Sequence, residues 1–94
     1  MLFAITGILK ADAEPGLPAL QDAFNEHLAQ PYRHLRLAGA LRTREGRRNG
    51  FMVILEADSF ADAEAYLHES PLYQAALYER TEIAEYALEL GRIG

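Results

Sequence analysis

The sequence predicts an α+β domain of βαββαβ order, a ferredoxin-like two-layer sandwich, and three observations carry that prediction. Apolar runs at 2–9 and 51–55 have no bare polar face, as in strands covered on both sides. Apolar residues at helical spacing fill 17–28 and 60–67. Period-two segments begin at Arg33 and Glu79, and the resulting order is the split βαβ arrangement. The 94 residues allow a single domain, taken as 1–94.

Leu2 to Leu9 reads Leu-Phe-Ala-Ile-Thr-Gly-Ile-Leu and forms the first expected strand. Pro15-Gly16 punctuates the chain before a helix striped by Leu17, Leu20, Phe24 and Leu28, with Ala23 and His27 on the same broad face. Pro31 cannot continue a helix without a kink, so this helix is expected to end near Ala29. From Arg33 the pattern alternates, with Leu35, Leu37, Gly39 and Leu41 on one face and Arg36, Ala38, Ala40, Arg42 and Arg44 on the other. The stretch 45–50 holds two glycines and an Asn-Gly pair and is expected to join two antiparallel strands. Phe51 to Leu55 is the central strand. Ser59 is placed as the N-cap of a second helix, with Asp62 three residues on and Phe60, Ala63, Tyr66 and Leu67 buried. Ser70-Pro71 interrupts that helix and opens a short third one, Leu72 to Leu77. The tail from Glu79 to Leu90 is the last expected strand, with Thr81, Ile83, Glu85 and Ala87 on one side.

Half the residues are hydrophobic and 24% are charged, a globular balance. The chain contains no cysteine. That excludes thiolate metal sites, cysteine nucleophiles and redox centres, and it suits the reducing cytoplasm, where the protein is expected. No stretch approaches the roughly 18 apolar residues of a membrane span, and the first residues lack the basic region of a signal peptide. A formal charge of −5 argues against nucleic-acid binding. The charge is uneven: six of nine basic residues fall between Arg33 and Arg48, while nine acids follow Asn49 against Arg80 and Arg92. The basic stretch reads either as a solvated hairpin or as an anion site. Strands one and three carry apolar residues on both faces, among them Leu2, Ala4, Met52 and Ile54. A homodimer packed sheet on sheet covers such a face.

Several segments then line up in order. They are Met1-Leu2-Phe3-Ala4-Ile5, Glu26-His27-Leu28-Ala29, Leu35 through Leu41 with its Ala38-Gly39-Ala40-Leu41 end, Gly50 through Ala57 with Ala63-Glu64-Ala65, and Ser70-Pro71-Leu72-Tyr73 through Glu79. Together they resemble the YCII-related (YciI-like) family over most of the chain. The resemblance implies a dimeric α+β barrel with a cleft between helices and sheet, where a helix histidine and an acidic residue form an acid–base pair. A few relatives in that family act on ring compounds, in dehydrochlorinase or muconolactone-type chemistry, and most members have no assigned reaction. Three features depart from the family pattern. Ser70 stands where the family usually has Asp, Ala40 replaces a proline, and the stretch from His27 to Ala38 is a few residues short. His34 also precedes a leucine and so competes with His27 for the histidine motif.

His27 and Ser70 are the candidate catalytic residues. An imidazole titrates near neutrality and can both accept and return a proton, provided a carboxylate or carbonyl fixes its other nitrogen. Ser70 can accept a hydrogen bond but supplies no negative charge, a task left to an acid such as Glu69. The structural alternatives are a stripe-edge histidine bonded to a backbone carbonyl and a serine that caps the helix before Pro71. Tyr73 is expected to line the cleft and point its hydroxyl inward, with Tyr66, Tyr78 and Tyr86 as core and interface mass. Arg42, sharing a face with Arg44, is the candidate to hold a ligand carboxylate. His34 and His68 are placed on a connection and an exposed helix end. With no i, i+4 histidine pair, neither a metal nor a cofactor is expected. The sequence supports two functions: an enzyme doing proton-transfer, isomerase or lyase-type chemistry on a cyclic metabolite through His27, or a non-catalytic small-ligand-binding or accessory dimer that has lost the acid. The partner of His27 separates them.

Overall fold

The computed structural model describes residues 1–30 and 34–92. Pro31 and Arg33, the expected helix stop and strand start, lie outside the described residues. The chain runs β1 (Leu2–Leu9), a 3-10 turn (Glu14–Gly16), α1 (Leu17–Leu28), β2 (His34–Arg42), β3 (Arg48–Glu56), α2 (Phe60–His68), the single-turn α3 (Pro71–Gln74) and β4 (Tyr78–Glu85). The strands form one sheet in the order β2-β3-β1-β4, and every neighbouring pair is antiparallel. This is the ferredoxin-like βαββαβ sandwich that the residue pattern predicts.

The alternation of β1 fixes the two faces. Phe3, Ile5, Gly7 and Leu9 are buried under the helices, whereas Leu2, Ala4, Thr6 and Ile8 are only half-buried on the open side. Opposite residues in an antiparallel ladder share a face. The pairs Phe3↔Leu55 and Ile5↔Val53 therefore build the covered floor, and Ala4↔Ile54 and Thr6↔Met52 build the open one. In β4 the covered side takes Thr81 and Ile83, as their alternation predicts.

β2 departs from strict alternation. Leu35 pairs with Leu55 but Leu37 pairs with Ile54, so Arg36 is an extra, unpaired residue. Such a bulge shifts the register by one and reverses the faces beyond it. Leu35 consequently sits on the covered side and packs on the core, while Leu37 turns to the open face and is 41% exposed. The two were expected on one face. The bulged Arg36 lies at the sheet edge and donates from Nη2 to both oxygens of Glu56, at 2.9 and 2.8 Å. This guanidinium holds the Glu56 carboxyl below the usual carboxylate range.

The turn between β2 and β3 is tighter than the residue pattern indicates. Gly46 adopts φ 84°, a conformation that favours glycine, and Thr43 closes the turn by donating its N–H to the Arg47 carbonyl at 2.8 Å. Asn49 and Gly50 belong to β3 itself. A Cβ at Gly50 would run into the carbonyl oxygen of Gly7, so this glycine serves close strand approach rather than the turn.

In α2, Ser59 is the N-cap and its Oγ accepts the Asp62 N–H at 3.2 Å. Ala63, Tyr66 and Leu67 are buried, but Phe60, at the first helical position, stays 47% exposed and meets Phe3 only edge-on. The third helix is shorter than expected because the chain turns after Gln74. The Leu77 N–H reaches back to the Leu72 carbonyl and the Ala76 N–H to that of Tyr73, with Ala76 at φ 58°. These are the paired bonds of a Schellman ending, with alanine in the left-handed position that glycine usually takes. β4 in turn stops at Glu85, opposite Phe3, and one further bond joins the Tyr86 N–H to the Leu2 carbonyl at 2.8 Å. The stretch expected to continue to Leu90 is irregular.

Replacing Ser59 with Ala removes the cap of α2 while leaving its buried face intact. Urea denaturation of Ser59→Ala is expected to show a loss of about 1 kcal/mol relative to the parent chain.

Candidate functional site

Between helices and sheet the core divides in two. One cluster gathers Phe3, Ile5, Val53, Leu55 and Tyr66, and the other gathers Leu9, Leu17, Phe24 and Leu72. Leu28 and Tyr78 pack against both. Along this seam lies a cavity walled by Ile5, Phe24, Leu28 and Val53, with Gly7 in its floor. The space is about 30 Å³, enough for roughly two waters where each needs about 10–15 Å³.

The polar groups that meet there come from three elements. His27, in the last turn of α1, is 5% exposed. It faces the Tyr66 ring of α2, with ring centres 4.3 Å apart and planes inclined by 31°. Ser70, 4% exposed, stands at the N-cap position of α3 but makes no capping bond with its side chain. Ser70 is one of the residues that line the cavity. Tyr78 brings its phenol from the start of β4. Burial pushes that phenol up to about 12, opposed by its contact with the Ser70 hydroxyl and aided by the neighbouring Tyr66. By strict geometry Ser70 Oγ has no hydrogen-bond partner among the described residues. Ser70 Oγ and the Tyr78 phenol are therefore neighbours without a well-formed hydrogen bond. No carboxylate lines the cavity among the described residues.

Tyr78 reaches this site through a bulge. Along β4, Arg80 pairs with Ile8 and would put Tyr78 on the open face by simple alternation. Leu9 pairs instead with Tyr78, leaving Glu79 unpaired, and the one-residue slip turns the tyrosine under the helices. Tyr66 carries a clearer signal, since it lies on the helical stripe of α2.

The other residues singled out from the sequence lie elsewhere. Tyr73 is 38% exposed and stacks on His68 at 4.7 Å, because the single turn of α3 points it outward while Leu72 points in. Arg42 ends β2 and reaches the Gly46 carbonyl at 3.5 Å, in a surface groove beside Glu14 and Arg47. Neither lines the cavity. Glu69 is exposed and absent from the described lining. His34 begins β2 opposite Glu56, on the open side of the sheet. Among the described residues, no group of three or more His, Cys, Asp or Glu side chains could hold a metal ion. No described helix is long and apolar enough to cross a membrane.

The model of the YCII-related domain matches residues 1–87. The chain belongs to the YCII-related family. In shape it is similar to 5-chloro-2-hydroxyhydroquinone dehydrochlorinase (TftG) from Burkholderia phenoliruptrix, solved in complex with 2,5-dihydroxybenzoquinone. That likeness has a TM-score of 0.82 over 93% of this chain and 94% of the other, at 18% identity, and it shows the YCII-related fold. Rv0793 from Mycobacterium tuberculosis aligns with a TM-score of 0.50 at 17% identity, covering 96% of this chain and 97% of that one. A NIPSNAP domain protein from Burkholderia xenovorans aligns with a TM-score of 0.49 at 18% identity, over 98% and 100% of the two chains. No curated protein matches this sequence.

The buried Tyr78 phenol has a consequence for stability. Its folded value of about 12 lies above the roughly 10 of a tyrosine in an unfolded chain. The native state therefore keeps a proton that the unfolded chain releases. The stabilisation is complete below about pH 10 and is lost as pH rises toward the folded value. Urea midpoints measured across this range are expected to fall less steeply for Tyr78→Phe than for the parent chain.

Proposed function

We propose that the cavity is a small-molecule site and that His27 carries protons there, in isomerase or lyase-type chemistry on a cyclic hydroxy or oxo metabolite. The observation that carries this reading is the convergence of a buried imidazole, Ser70, and the Tyr66 and Tyr78 phenols on one seam of an otherwise apolar core. Three of these groups are buried and Tyr78 is half-buried, so a guest in the cavity meets several polar side chains at once. The dehydrochlorinase of the same fold, bound to a hydroxylated quinone, points to the same ligand class.

In this reading His27 Nε2 or Nδ1 accepts a proton from a ring carbon or hydroxyl and returns it to a neighbouring position. The phenols and the Ser70 hydroxyl donate hydrogen bonds to the oxygen on which negative charge develops. His27 lies in the last turn of α1, where the helix dipole favours its transient positive charge. What the site lacks among its described walls is a carboxylate to balance that charge. Ser70, where the family pattern has Asp, favours the second reading: a ligand-binding or accessory domain that has kept the cavity and lost the acid.

Screening small lactones and chlorinated hydroxyquinones separates the two. Turnover by the parent chain that falls roughly 100-fold or more in His27→Ala is the enzymatic outcome. Binding without turnover by either protein is the outcome for a binding domain, and full activity in His27→Ala removes the histidine from the mechanism.

The open side of the sheet completes the proposal. Its half-buried Leu2, Ala4, Ile8 and Met52, with exposed Leu37, make an apolar face that a second copy covers by packing sheet on sheet. The homodimer is read as a cytoplasmic protein, which its cysteine-free composition suits. Sedimentation equilibrium is expected to give twice the chain mass at micromolar concentration, and a monomer there rejects the assembly.

A further inference from the structure

The cavity is too small for an aromatic ring, and one side chain accounts for the shortfall. A methyl group at Gly7 would overlap Cδ1, Cε1 and Cζ of Tyr78, so the tyrosine ring lies directly against the glycine. Gly7 does not have a positive φ, so its backbone does not call for glycine. What requires it is space. A glycine inside a strand marks a place where another group approaches closely. In this structure that group is the protein's own six-membered ring carrying one hydroxyl.

Tyr78 pairs with Leu9 but sits between two backbone irregularities. It follows by two residues the left-handed Ala76, and it precedes Glu79, the residue that β4 leaves unpaired. Both flanking irregularities let the backbone turn without breaking a regular ladder, and β4 is an edge strand with one neighbour. The phenol is half-buried beside Ser70, whose Oγ has no well-formed hydrogen bond among the described residues.

We propose that the recess over Gly7 is the ring subsite of this cavity and that Tyr78 is its displaceable occupant. A single planar ring bearing hydroxyl or oxo groups enters as the tyrosine swings out, and its oxygens meet the Ser70 and Tyr66 hydroxyls. Specificity follows from the occupant's own shape: the recess takes one six-membered ring, and fused rings exceed it. The inference rests on the small-molecule reading above and adds where the ring sits and what moves to admit it.

Phenol, the side chain's own ring and hydroxyl, is the probe. In the intact parent protein the Tyr78 ring is expected to give a nuclear Overhauser contact to the Gly7 α-protons, since it lies directly against that residue. Saturation with phenol is expected to abolish it and to create a phenol–Gly7 contact in its place. Tyr78→Ala is expected to bind phenol roughly ten-fold tighter, since no occupant must first be displaced. The parent-chain measurement decides the matter even where that variant fails to fold. A Tyr78–Gly7 contact that persists at saturation overturns the proposal, as does the absence of phenol binding to the parent chain up to its solubility limit. Phenol has no leaving group and asks nothing of His27. Failure of the proton-transfer reading, seen in His27→Ala turnover, therefore leaves these results standing.

Discussion

The contact of the Tyr78 ring with Gly7 ties the molecule together. It needs a glycine in the central strand β1, a bulge at Glu79 to turn the tyrosine inward, and a left-handed Ala76 to bring the chain off α3 at the right point. Through it the ring reaches both core clusters, which among the described residues also share Leu28 at their border. The same ring narrows the cavity beside His27. Core packing and site geometry are therefore one arrangement, and a change at Gly7 or Tyr78 acts on both.

A second constraint comes from the sheet. Helices cover one face only, so half the apolar content of β1 and β3 remains for the other. The Arg36 bulge moves Leu35 to the core and adds Leu37 to the open face, which increases the apolar surface there. The Arg36–Glu56 pair beside it is exposed, with one guanidinium nitrogen serving both carboxylate oxygens. Pairs of that kind contribute little to stability, on the order of 0–1 kcal/mol, and this one chiefly fixes the direction of an edge side chain.

The site is notable for what its walls are made of. Imidazole, two phenols and one serine hydroxyl meet among aliphatic and aromatic carbon, with no carboxylate in the described lining. Such a set donates hydrogen bonds readily but offers no fixed charge. That is suited to a neutral ring whose oxygen gains charge during reaction, and ill suited to a cation. The basic groove around Arg42 and Arg47 lies apart from it and is already partly neutralised by Glu14, 3.3 Å from Arg47.

The sequence by itself determined the element order, the helix stripes apart from the exposed Ala23 and Phe60, the Ser59 cap and the family, because each rests on local periodicity or on motifs spread along the chain. It also singled out His27 and Ser70, which the fold brings to one cavity from helices far apart in the chain. Tertiary structure alone decided the rest. Alternation cannot reveal a bulge, since one unpaired residue reverses every face beyond it; hence Leu37 lies on the open face and Tyr78 under the helices. A one-turn helix has no stripe to read, so Tyr73 looked inward by analogy while packing sent Leu72 there instead. Gly7 gave no local sign of its purpose. Only the folded chain lays an aromatic ring from β4 across it, because strands distant in sequence become neighbours solely through the sheet.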